Sequence, residues 1–140
     1  MTVKENVCDF ENLYKAMLVC RRNVMWKDST AGFVKNGLTN CYKLKDELMS
    51  GKYKIGDYTV FKIYEPKERV IVSTRIKDRV FQRSLCDNYL TEQITRSFIY
   101  DNCACQKGKG TDFARERLKC HMQRFYRKSG LNGYIIKCDI

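Results

Sequence analysis

The stretch YKIGDYTVFKIYEPKERVIVST, residues 53–74, decides how the chain is built. Two runs rich in Tyr, Val, Ile, Phe and Thr flank Glu65-Pro66-Lys67-Glu68, and such side chains suit a pleated surface. The chain's single proline sits between the runs, where its preset φ favours a turn and its missing N–H costs no ladder bond. The expectation is a β-hairpin whose tip carries Lys62, Lys67 and Arg69 close together. Cations on such a hairpin also discourage edge-to-edge association, a plainer role that suits Lys67 better than Arg69, which borders an apolar strand.

Helices are expected on both sides of the hairpin. Upstream, Asp9 can cap a helix running to the mid-twenties, with Phe10, Leu13, Met17, Leu18 and Val24 at helical spacing. After WKDSTAG a second helix runs through Val34, Leu38, Tyr42 and Leu44 to Leu48, with Gly51 as its stop. These helices, over about residues 9–50, need a partner surface, which the hairpin would supply. Downstream, Ser73 or Thr74 can cap a helix over about residues 75–96, with an apolar stripe of Ile76, Val80, Phe81, Leu85, Tyr89, Leu90 and Ile94. Its other face carries Arg75, Lys77, Arg79 and Arg83. The loop SFIYDNCACQKGKGT then leads into a basic helix over about residues 111–128. The end, Gly133 to Ile140, reads as a mostly buried strand finishing in a carboxylate.

At 140 residues the chain offers material for one core, and 27 Lys and Arg against 16 Asp and Glu leave a formal charge of +11. That excess favours a polyanionic partner: nucleic acid first, a membrane surface second. No apolar run approaches the roughly 18 residues of a membrane span, and MTVKENVCDF lacks the layout of a signal peptide. A soluble, cytoplasmic protein is expected, with its eight cysteines as reduced thiols. Cys103 and Cys105 with Cys120 and His121 have spacings too tight for a usual zinc site, and gap-filling is their plainer role.

Three features carry candidate chemistry. Gln106-Lys107-Gly108-Lys109-Gly110-Thr111 joins free backbone N–H groups, two ammonium groups and a helix start, which suits phosphate, although it is not a Walker A loop. From Lys107 to Lys128, eight cations face two carboxylates, Asp112 and Glu116, a net of +6 that pairing along the helix cannot neutralise. Asp139 follows an apolar run, where a carboxylate calls for a lysine, a helix start or a hard cation.

Taken in order, IYEPKERVIVSTRIKDRVFQRSLCDNYL, RSFIYDNCACQKGKGTDFARERL and GYIIKCDI resemble the opening blocks of a bacterial reverse transcriptase. The relevant group includes group II intron maturases, diversity-generating retroelement enzymes and retron-type polymerases. The likeness covers about residues 53–140 closely and the N-terminal helices loosely. It implies an α+β fold: a fingers subdomain over residues 1–132, with helices packed on the hairpin, and the first strand of a truncated palm over residues 133–140. It also implies an RNA-directed DNA polymerase, in which Arg69, Lys62 and Lys67 meet the dNTP triphosphate and Arg75, Arg79, Lys107, Lys109 and Arg115 follow the RNA template or RNA/DNA hybrid. Asp139 would be the first catalytic, metal-binding aspartate, with the Ile140 carbonyl beside it, and Mg2+ the cofactor of the intact enzyme. The family's Tyr-x-Asp-Asp turn does not occur, so this chain is expected to be inactive alone, and the Arg-Pro-Gly of many maturases is replaced here, which leaves the subgroup open. An unpaired terminal strand invites a homodimer. The alternative is a stand-alone basic RNA-binding module; a DNA-binding regulator lacks the expected helix-turn-helix pair.

Overall fold

Apolar residues three and four positions apart build the first core. In the computed structural model, which describes residues 2–138, α1 spans Val3–Val7, α2 Phe10–Cys20, α3 Asp28–Lys35 and α4 Gly37–Met49. Strands β1 (Thr59–Ile63) and β2 (Arg69–Ser73) follow, then α5 (Ile76–Leu85), a π-helical turn (Cys86–Leu90) and α6 (Thr91–Thr95). A long helix, α7 (Thr111–Ser129), completes the regular structure. The mixed helix-and-hairpin content makes the fold α+β. The chain divides into two compact units, residues 1–94 and 95–140.

In the first unit Leu13, Ala16 and Met17 of α2 pack with Cys41, Leu44 and Leu48 of α4 and with Ile76 and Val80 of α5. Each set recurs at the helical period, so three stripes close on one another. Asp9 caps α2 as expected, accepting from Glu11 N at 3.0 Å. Thr2 and Glu5 form a reciprocal capping box on α1. Gly51, at φ +71°, ends α4 in the left-handed conformation a side chain would resist.

The hairpin departs from expectation in its packing. Helices α2 and α4 close on α5 and not on the strands, and every residue of β1 is exposed. The reason is geometric: α5 offers an apolar stripe matching theirs, whereas the ribbon alternates its apolar side chains between two faces. Ser73 stays in β2, paired with Thr59, so Arg75 takes the N-cap position of α5 and provides no capping bond.

No residue of α7 is buried in the second unit. The loop before α7 is instead held to it by charge and aromatic faces. The Tyr100 and Phe113 rings meet edge-on at 5.6 Å, and the Lys109 ammonium lies 4.8 Å and 5.3 Å from their centroids. Gly130, at φ +62°, closes α7. The strand expected over residues 133–140 is not formed among residues 133–138, because no second strand lies alongside to complete a ladder. Asp139 and Ile140 lie outside the described residues.

Candidate functional site

Register decides which hairpin cations can act together. Ile63 pairs with Arg69 and Lys62 with Val70, and side chains alternate faces along a strand. Arg69 therefore shares a face with Phe61, Ile63 and Ile71, while Lys62 stands on the other with Val60, Val70 and Val72. The pairing puts Lys62 and Arg69 on neighbouring rungs near the tip, on opposite strands as expected, but on opposite faces of the ribbon. Lys62 also holds Glu68 at 2.6 Å, leaving its ammonium partly neutralised. Lys67 and Arg69 are exposed and belong to no ion pair among the described residues.

The Arg69 face leads inward to a cleft of about 740 Å³, lined by Phe61, Ser73, Thr74 and the start of α5. Arg75 lies there, bound to the exposed Asp57 at 2.9 Å. Arg79 lies there too, and its Nε is buried with no hydrogen-bond partner. Among the described residues the other buried, unpartnered side-chain polar atom is Thr30 Oγ1.

Asp78, fully buried, holds this wall in place. Its Oδ1 accepts from the Tyr53 hydroxyl and its Oδ2 from Gly56 N at 3.1 Å. A Cβ on residue 56 would come 2.8 Å from Arg75 Cδ and 3.2 Å from Asp78 Oδ2, so a side chain there would push the exposed Arg75 aside. Burial first, and the Asp78 hydrogen bond and charge next, raise the Tyr53 phenol well above its usual range and keep it a donor. Lys77 bridges Glu47 at 2.8 Å and lies 5.2 Å from the Tyr53 ring. The charged surface read for α5 thus contains a buried carboxylate that periodicity alone places among exposed charges.

In the second unit Lys109, expected on a template path, is occupied structurally: its ammonium donates to Tyr100 O and faces two rings. Lys107 is exposed. Arg115 is exposed and reaches Asp112 at 3.3 Å. Asp101 is the anchor that sequence reasoning missed. It binds Arg117 Nε through Oδ1 and His121 Nε2 through Oδ2 at 2.7 Å, while Arg117 lies 4.9 Å from the Tyr100 ring. The Arg117 hydrogen bond, then that of His121, hold the Asp101 carboxyl down at about 2. An aspartate and a histidine twenty positions apart give no local sequence signal, although Arg117 and His121 do share a helix face at i, i+4.

The cysteines are all free thiols, and burial pushes Cys41 up to about 11. Among the described residues no group of three His, Cys, Asp or Glu side chains is placed to hold a metal ion. Also among them, no helix is long and apolar enough to cross a membrane.

No protein-family model matches the chain, and no curated protein matches it either.

Proposed function

We propose that this chain is the fingers portion of a reverse transcriptase, binding an RNA template and the triphosphate of an incoming dNTP. The observation that carries the reading is the exposed antiparallel hairpin with Arg69 on its cleft-side face, followed directly by the basic surface of α5. A planar guanidinium on that face matches phosphate oxygens in a way a lysine cannot. Lys107 and the uncapped start of α7, with Gly108 at φ +76°, offer backbone and ammonium donors to a template phosphate. The apolar tail Tyr134-Ile135-Ile136 is exposed, as a palm strand would be before its sheet is complete. Mg2+ chemistry belongs in this reading to a longer polypeptide in which Asp139 meets further carboxylates.

The test is primer extension on an RNA template by a polypeptide that continues this chain through a complete palm. Synthesis is expected, and Asp139→Ala should abolish it while leaving RNA binding largely intact. Synthesis that survives Asp139→Ala would remove the metal-binding role of Asp139. RNA binding without synthesis by the parent would favour the second reading, a self-standing RNA-binding module, which the exposed cations of α7 also support.

A further inference from the structure

The cleft beside the hairpin is also lined from the N-terminal helices, outside the stretch that carries the polymerase resemblance closely. Lys27 and Ser29, at the start of α3, line it together with Arg75, Ile76 and Lys77 at the start of α5. Both helix starts lack a side-chain cap, Lys27 and Arg75 being their N-cap residues. Two sets of first-turn N–H groups, each at the positive end of a helix, thus open on one space.

The charge balance is one-sided. Lys27, Arg75, Lys77 and Arg79 line the cleft against a single carboxylate, Asp78, which already accepts from Tyr53 and Gly56. Arg75 and Lys77 have carboxylate partners, but Lys27 and Arg79 have none among the described residues. A buried guanidinium Nε without an acceptor is costly, and so is a buried hydroxyl without a partner. Arg79 Nε and Thr30 Oγ1 are the two such atoms, the first in the α5 wall and the second in the first turn of α3.

We infer that this cleft is a phosphate-binding site, in which Arg79 of α5 and Lys27 of α3 grip one phosphate group and the two helix starts donate backbone N–H groups. The ligand is a phosphate-bearing molecule, either a free polyphosphate or the phosphodiester of a nucleic-acid strand. The inference does not rest on the polymerase reading, since the site would bind phosphate whether or not the chain belongs to an enzyme.

Calorimetric titration of the full chain with inorganic tripolyphosphate, and separately with a short oligouridylate RNA, tests it. Lys27→Gln should weaken at least one of the two probes about tenfold, the size expected for losing a hydrogen bond to a charged group. Lys15→Gln, which removes the same charge from the exposed Glu11 pair on α2, should change neither by more than about twofold. Loss confined to tripolyphosphate identifies a free-polyphosphate site, and loss confined to RNA identifies a strand-backbone site. Arg79→Gln should act in the same direction, and Lys27→Gln stands alone if that variant folds poorly. The inference is overturned if neither probe binds the parent chain, or if Lys27→Gln binds both as the parent does.

Discussion

The two units reach order by different means. The first closes three apolar helix stripes on one another, so that Leu13, Cys41 and Val80 are inaccessible to solvent. The second buries nothing along α7 and relies on Asp101, Arg117, His121, Lys109 and two aromatic rings. Burial of apolar area carries no charge to titrate or screen, whereas charged contacts at an exposed surface respond to both pH and ionic strength. A shift in solution conditions should therefore act on residues 95–140 well before it disturbs residues 1–94.

The largest contrast is expected from matched leucines. Leu13→Ala should cost about 2–5 kcal/mol in urea unfolding, the range for removing a buried leucine side chain. Leu118→Ala, on the exposed face of α7, should cost less than about 0.5 kcal/mol. Equal costs would erase the distinction between the units. A smaller effect is expected inside the first unit. Asp78→Ala leaves the Tyr53 hydroxyl and Gly56 N without their acceptor and should destabilise by about 1–3 kcal/mol. An Asp78→Ala protein as stable as the parent would show that the carboxylate does not hold the cleft wall.

The smallest effect should be local and dependent on pH. The folded Asp101 carboxyl lies below its ordinary value of 3.8, so its support is complete above that value and is lost as pH falls toward about 2. Amide hydrogen exchange across residues 98–110 should accelerate, relative to the intrinsic rate, over that acid window while α2 and α4 stay protected. Asp101→Asn should show the same relative acceleration at neutral pH. Protection that is indifferent to both changes would mean the loop is held by its aromatic contacts alone.

Sequence periodicity located most of the first unit. The Asp9 cap, the Gly51 stop, the two strands around Pro66 and the start of α7 at Thr111 all follow from local chemistry, which a sequence displays directly. What it misplaced depends on pairing across distance. The facing of Lys62 and Arg69 rests on register, which one residue's slip would reverse. The break at Asn36 between α3 and α4 interrupts what reads as a continuous apolar pattern, and Gly37 lies where a Cβ would come 2.8 Å from Met17 Sδ. Lys27 and Ser29 carried no motif, and they acquire meaning only because α3 begins beside α5. Asp139 was the residue on which the catalytic reading depended, and it lies outside the described residues.

The π-helical turn at Cys86–Leu90 changes how the long helical run must be read. One extra residue in a helix advances everything after it by about 100° around the axis. Ile94, which a uniform helix would align with Ile76 eighteen residues before it, is thereby rotated away from that face and emerges into solvent. A single inserted position thus makes one helical run address two directions, its first half committed to the interior and its second half turning Ile94 outward.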